Sequence, residues 1–106
     1  EKSVRLKVQE LDVLQGADLD RRLAGATFQD IPLKMRSERL RGVLLTELEP
    51  DSRLARRGLR PGDIIMGSNR NRIRDLDEFR EVISSIRDSL YLEVVRRGNE
   101  YVVRVD

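Results

Sequence analysis

Carboxylates, hydroxyls and guanidinium groups are the side chains of this 106-residue chain that could do chemistry, because histidine and cysteine are both absent. Without an imidazole no serine–histidine–aspartate triad can be assembled, and without a thiolate there is neither a cysteine nucleophile nor the usual kind of zinc site. The acids Asp75, Asp77 and Glu78 lie together, but they have no partner base and are typical of a helix start. We therefore expect no catalytic residue, no metal and no cofactor.

Arginine dominates the charge, with 18 Arg among 21 basic residues, against 19 acidic residues and a formal net charge of +2. Residues 53–74 carry a local charge of +6, whereas residues 75–88 carry −3. Arg binds phosphates in a bidentate way, which would suit a nucleic-acid-binding domain. Only 4% of the residues are aromatic, which is few for base stacking, and the neighbouring acids compensate the Arg block. We expect no nucleic-acid partner.

The N-terminal half alternates between strand patterns and breakers. Residues 3–9 alternate apolar and polar side chains, which predicts a strand with one buried face. Residues 17–23 are weakly helical. Residues 26–33 contain a short extended piece, which Pro32 confines to a sheet edge or a strand end. Residues 42–48 predict the next strand.

Turn and capping residues divide the C-terminal half. Ser52 is the predicted N-cap of a short helix at residues 53–57, and Gly58 is its predicted C′ residue. The turn Arg60-Pro61-Gly62-Asp63 leads into a strand at residues 64–69, and Asp63 is expected to bond nearby backbone amides.

The clearest helix follows the capping pair Asp75 and Glu78, with an apolar face that includes Phe79. Two strands, at residues 90–96 and 100–105, are joined by a hairpin turn predicted at Gly98-Asn99.

This order of elements predicts a small α+β domain: a partly open β-barrel of five or six strands, capped by two helices. A chain of this size supports one modest core. No run of about 18 apolar residues occurs, so we expect no membrane insertion.

One set of residues resembles a PDZ domain with the permuted bacterial topology. It comprises Gly42-Val43-Leu44, then Leu59-Arg60-Pro61-Gly62-Asp63-Ile64-Ile65, then Asn69, Ile73, Leu76, Phe79 and Ile83. The string GLRPGDII, followed by a capped helix and a Val-rich hairpin, is similar to the tandem PDZ domains of HtrA-type periplasmic serine proteases. The resemblance covers residues 23–105.

A repeated pattern indicates the position of this domain in a longer protein. Residues 3–8 match residues 100–105 in pattern, as if the chain began with the last strand of an earlier copy. The resemblance therefore implies a second PDZ domain at residues 23–106. Residues 1–22 would hold the last strand of a preceding PDZ domain and a linker.

The resemblance also implies a peptide site. In PDZ domains a glycine-containing loop presents backbone amides to a ligand's terminal carboxylate, and the ligand pairs as an extra strand opposite the long helix. Here the loop is residues 23–26, the paired strand residues 27–31 and the helix residues 76–86. The implied peptide-binding residues are Leu23, Ala24, Gly25, Ala26, Thr27, Phe28, Leu76, Arg80, Ile83 and Ser84, with Phe79 and Val82 pointing to the core. Gly25 would bring backbone close to the carboxylate at positive φ, or would be a simple turn glycine.

Two positions depart from the family pattern. Ala26 stands where a bulky apolar residue usually shapes the terminal side-chain pocket, which leaves the wall to Phe28, Leu23 and the helix. Arg80 stands where many relatives carry an apolar residue. It would contact an acidic ligand, pair locally with Asp77 or neighbours of Glu81, or plug the groove. These departures favour a further role, docking of the Arg-rich surface on another subunit.

We therefore expect a non-catalytic module of a periplasmic HtrA-type protease, whose parent is a trypsin-like serine endopeptidase. Its expected partners are unfolded or C-terminal peptide segments and other subunits of the protease. One alternative is a PDZ module of a secretion-system or intramembrane-protease protein, and a remote one is an Arg-rich nucleic-acid binder. Peptide capture requires an open sheet edge beside the long helix. An edge covered by the chain's own residues would leave only the docking surface.

Overall fold

The computed structural model describes residues 13–35 and 40–105, and the predicted strand at residues 3–9 lies outside them. The strands are β1 (Leu14–Gln15), β2 (Ala26–Asp30), β3 (Val43–Leu48), β4 (Ile64–Ser68), β5 (Asn71–Arg72), β6 (Leu90–Arg96) and β7 (Asn99–Val105). The helices are α1 (Gly16–Leu19), α2 (Arg53–Arg56) and α3 (Leu76–Ser85), with 3-10 turns at Arg21–Leu23 and Leu33–Met35.

The seven described strands form one open antiparallel sheet in the order β1-β2-β3-β4-β6-β7, with β5 paired to β4. The two strands that the sequence did not predict, β1 and β5, have two residues each. Such short strands carry no readable alternation, and they form because a longer neighbouring strand offers main-chain partners. β1 and α1 precede the predicted domain boundary at residue 22, and both contact β2.

Two hairpins have two-residue turns in which both residues have positive φ. They are Asn69-Arg70, with φ of 50° and 70°, and Arg97-Gly98, with φ of 51° and 82°. Such turns match the right-handed twist of the paired strands. The turn predicted at Gly98-Asn99 is displaced by one residue, because Asn99 already pairs with Arg96 in the ladder between β6 and β7.

The predicted helix caps are confirmed. The Ser52 hydroxyl accepts the amide of Ala55 at 3.1 Å, and the Asp75 carboxylate accepts the amide of Glu78 at 2.9 Å. The Glu78 carboxylate reaches back to the amide of Arg74, at 2.8 Å, one residue before the N-cap. A residue distant in sequence adds a second acceptor at this helix start, since Asp30 at the end of β2 accepts the amide of Leu76 at 2.8 Å.

The core lies between the sheet and α3. Its centre is an aromatic pair, Phe28 on β2 and Phe79 on α3, with ring centroids 4.8 Å apart and planes inclined by 55°. Tilted ring pairs at this separation contribute beyond their buried area. Phe79 points inward as predicted, whereas Val82 is only half-buried.

Asp63 is a buried carboxylate, 1% exposed, that holds the turn before β4. It accepts the amide of Arg60 at 2.9 Å, as predicted. Arg96 on β6, which the sequence did not indicate, donates to both of its oxygens at 2.7 and 2.8 Å and to the Gly58 carbonyl at 2.7 Å. A buried charge is tolerated when it is paired and hydrogen-bonded in this way.

Replacement Asp63→Ala is expected to lower the free energy of unfolding by about 1–3 kcal/mol, because the amide of Arg60 loses its acceptor and Arg96 its ion-pair partner. Urea denaturation at pH 7 measures the change. The matched control Asp51→Ala removes an exposed acid from the neighbouring turn and should cost less than about 0.5 kcal/mol. Equal stability of the two variants would contradict the assigned role of Asp63.

Candidate functional site

The structure brings the predicted loop, strand and helix together. The loop follows the 3-10 turn that ends at Leu23, and it leads directly into β2 at Ala26. The contact between Phe28 and Phe79, together with the hydrogen bond from the Leu76 amide to Asp30, holds β2 beside α3.

The predicted site residues divide into a buried and an accessible group. Five of them are at most 5% exposed and belong to the hydrophobic core: Leu23, Ala26, Phe28, Leu76 and Ile83. Gly25 and Thr27 are half-buried, and Ala24, Arg80 and Ser84 are exposed. The apolar groove that the resemblance implies is therefore closed over by other parts of the domain.

Gly25 has the predicted positive φ, +90°. Its carbonyl accepts the amide of Glu49 at 2.9 Å, and a Cβ at this position would lie 2.9 Å from the Cβ of Ser52. Glycine is thus needed both for its backbone conformation and for close packing against the start of α2. The Leu23 amide donates to the Asp20 carbonyl at 2.8 Å and the Ala24 amide to the Arg21 carbonyl at 3.2 Å, so two of the loop amides are already engaged.

β1 covers part of the sheet edge that was predicted to be open. Leu14 pairs with Phe28 and Gln15 with Thr27, and the Thr27 hydroxyl donates to the Gln15 side chain at 3.2 Å. The expectation of an open edge is wrong at Thr27 and Phe28. The physical reason is that main-chain groups at an edge need partners, and the segment just before the loop supplies them.

The side chain of Leu14 and the backbone of Gly16 complete the closure. Leu14 is 7% exposed and belongs to the same buried cluster as Phe28 and Leu76. Gly16 packs so closely that an added Cβ would collide with the carbonyl oxygen of Leu23. β1 is antiparallel to β2 and runs towards the loop, which is the direction that the resemblance assigns to a bound peptide.

These three residues, Leu14, Gln15 and Gly16, are functional candidates that sequence reasoning missed. Residues 14–16 are L-Q-G, a sequence that predicts neither a strand nor a helix. No local signal identifies them, because two strand residues are too few to show an alternation of apolar and polar side chains.

Arginine side chains cluster at the 3-10 turn that precedes the loop. A cavity of about 500 Å³ is lined by Asp20, Arg21, Arg22, Arg53 and Arg87. Of the Arg-rich stretch 53–74, only Arg53 reaches it, whereas Arg74 forms an ion pair with Glu78 at 3.3 Å. Arg80 makes no ion pair with Asp77 among the described residues.

Known proteins provide a context for this geometry. No protein-family profile matches the chain. It is 32% identical over 83 residues to the "Probable periplasmic serine protease do/HhoA-like" of Haemophilus influenzae, and 35% identical over 80 residues to the "Periplasmic pH-dependent serine endoprotease DegQ" of Escherichia coli. These matches cover 78% and 76% of the chain, but only 17% of each relative.

A solved structure matches the fold. The crystal structure of the HtrA3 PDZ domain bound to a phage-derived ligand (FGRWV) superposes with a TM-score of 0.65 at 26% identity, covering 76% of this chain and 79% of that one. This chain is a PDZ domain of the HtrA type. The predicted α+β PDZ fold and the predicted family are thereby confirmed.

Two further findings concern the described part of this PDZ domain. None of its helices is both long and apolar enough to span a bilayer. Its acidic side chains form no group of three that could hold a metal ion.

Next to the loop, Asp20 and Arg22 form a tight local pair. The Asp20 carboxylate accepts the amide of Arg22 at 2.9 Å and two bonds from its guanidinium, at 3.0 and 2.9 Å. Arg22 also donates to the Asp88 carbonyl at 2.7 Å, which ties the 3-10 turn to the segment after α3. The hydrogen bond from the Arg22 side chain lowers the pKa of Asp20, against the opposing effect of burial.

The 3-10 turn should therefore lose stability in acid. Because the pKa of Asp20 is lower in the folded state, its ion pair adds to the free energy of unfolding at any pH above the unfolded-state pKa, about 3.9. This contribution is lost as the pH falls from there through the folded-state pKa. Urea unfolding from pH 7 to pH 2 should show a wild-type advantage over Asp20→Asn that shrinks below about pH 4.

The exposed neighbour Asp18, in the variant Asp18→Asn, controls for the loss of one negative charge from this segment. A wild-type advantage over Asp20→Asn that stays constant down to pH 2 would contradict the assigned ion pair.

Proposed function

We propose that this PDZ domain is a non-catalytic, peptide-binding module of a periplasmic HtrA-type serine protease, and that a peptide binds along β2 in exchange for β1. The observation that carries the proposal is β1 itself. It lies antiparallel on β2 with its C-terminal end at the Gly25 loop. An extended or C-terminal segment of another polypeptide would take the same place by adding a strand to the sheet.

The comparisons support two parts of this proposal, the periplasmic protease as parent protein and a peptide as ligand. The two relatives are named periplasmic serine proteases, and the solved HtrA3 PDZ domain holds a peptide ligand. In the parent protein a trypsin-like serine protease domain would supply the catalysis, since this chain contains no histidine. The module would be the second of two PDZ domains, at residues 23–106, preceded in residues 1–22 by the last strand of the first and a linker.

The exchange is energetically reasonable because β1 is short and covers only part of the edge, so the condition under which docking alone would remain is met only in part. It pairs with two of the five residues of β2, at Thr27 and Phe28. A backbone hydrogen bond contributes about 0.5–1.5 kcal/mol net, so a peptide that pairs with more of β2 would gain what the displaced strand loses. An apolar ligand side chain would replace Leu14, and the exposed Arg80 on α3 would favour an acidic ligand residue.

A second candidate function is docking without peptide capture. It is favoured by the burial of Leu14, which belongs to the same core cluster as Phe28 and Leu76 and would have to leave it for a peptide to bind. In that case the domain would assemble with other subunits of the protease. The Arg-lined cavity beside the loop would then face acidic residues of a neighbour.

Titration of the 15N-labelled chain with the peptide FGRWV tests capture. Chemical-shift changes are expected at residues 13–16, at residues 24–31 and along α3, because the peptide replaces β1 beside the loop. The same peptide with an amidated C-terminus should bind at least about tenfold more weakly, since it lacks the carboxylate. Shift changes confined to other regions would contradict capture and leave docking.

Variants of β1 test the exchange. Gly16→Ala should push the segment away from the Leu23 carbonyl, and Gln15→Pro removes an amide from β1. Both variants should strengthen peptide binding. The affinity should rise by about the same factor as the fraction of molecules in which β1 has left β2. Isothermal titration calorimetry measures the affinity, with the exposed neighbour Ala17→Ser as control. Unchanged or weaker binding in both variants, with folding verified by thermal denaturation, would contradict the exchange.

A further inference from the structure

The second edge of the sheet is formed by the long strand β7. β7 ends the strand order, and none of the described strands pairs with its outer side. It has seven residues, and Val102 is 68% exposed, the most exposed of the large apolar residues described. A long edge strand with exposed apolar side chains can pair with another chain, because its outward N–H and C=O groups have no ladder partners.

The side chains of β7 divide between the two faces of the sheet. Glu100, Val102 and Arg104 share the face that carries Val95, Glu93 and Tyr91 of β6. Tyr101 and Val103 lie on the opposite face, where the guanidinium of Arg96 stands over the Tyr101 ring at 5.5 Å. Tyr101 is still 44% exposed, so both faces of this edge present apolar surface.

The sequence of β7 is complementary to itself in one antiparallel register. When two copies pair with Val102 opposite Val102, Glu100 of each copy faces Arg104 of the other. The same register sets Tyr101 opposite Val103 twice. Opposite charges facing each other across neighbouring strands stabilise the pair, and like charges destabilise it. A parallel in-register pairing would set Glu100 against Glu100 and Arg104 against Arg104.

We propose that the outer edge of β7 binds the same edge of a second copy of this chain, in the antiparallel register centred on Val102. The contact has two-fold symmetry, so each copy uses one and the same surface. It joins the two sheets into one continuous sheet, and its two ion pairs select the register. This contact goes beyond peptide capture at β2 and does not depend on it, since it lies at the opposite edge of the sheet.

Charge reversal tests the register directly. Sedimentation equilibrium of the 106-residue chain should show a concentration-dependent dimer. Glu100→Arg and Arg104→Glu should each weaken self-association at least about tenfold, because each converts two attractive pairs into two repulsive ones. An equimolar mixture of the two variants should associate again, since every charge then faces its opposite. The double variant should also restore the homodimer.

Controls separate this contact from unspecific charge effects. Glu81→Arg and Arg72→Glu change exposed charges on α3 and β5, and should leave self-association unchanged. Val102→Lys should weaken the dimer at every salt concentration, because it removes the apolar contact at the centre of the interface. In the wild-type chain, added salt should weaken only the contribution of the ion pairs between Glu100 and Arg104. Thermal denaturation verifies that each variant folds.

Three results would overturn the proposal. The first is a wild-type chain that stays monomeric up to millimolar concentration. The second is a dimer that neither charge reversal affects, which would mean that another surface is used. The third is protection of the Val102 amide from hydrogen exchange that does not depend on concentration, which would mean that the chain's own residues 3–9 occupy the edge.

Discussion

The need of β2 for main-chain partners on both of its sides organises this domain. β3 supplies one side, and on the other side β1 contributes two paired residues, followed by Gly16 in close contact with the loop. Because the uncovered edge is also the place where a PDZ domain would receive a peptide, the chain's own segment and any ligand compete for the same hydrogen bonds. Closure of the groove by β1 and the proposed binding of a peptide would therefore use the same main-chain groups of β2.

Several contacts hold β2 and the loop approach against the rest of the domain. Phe28 packs on Phe79, and the Asp30 carboxylate accepts the first amide of α3, so strand and helix are tied at the centre and at one end. Asp20 and Arg22 tie the loop approach to the segment after α3. In the proposed exchange, a peptide would displace a strand held by two residue pairs and would have to replace the core side chain of Leu14.

The two edges of the sheet differ in the kind of strand that they suit. The β2 edge is short, buried and adjacent to the Gly25 loop, which suits the proposed binding of a chain end. The β7 edge is long and exposed, and it carries opposite charges at positions symmetric about Val102, which favours a copy of itself. The proposed partners differ accordingly, with a peptide at β2 and a second copy of the chain at β7.

Local sequence determined the parts of the structure whose causes lie within a few residues. The caps at Ser52 and Asp75 and the positive φ of Gly25 depend on neighbouring backbone, and together with the GLRPGDII string they were enough to predict the PDZ fold. The tertiary structure alone decided the pairing of Leu14–Gln15 with β2 and the capture of Asp63 by Arg96. These contacts join residues 12 or more positions apart, and they form because buried main-chain groups and a buried charge must find partners in the folded chain. No local pattern of residue types predicts which distant residue will supply the hydrogen bond or the ion pair.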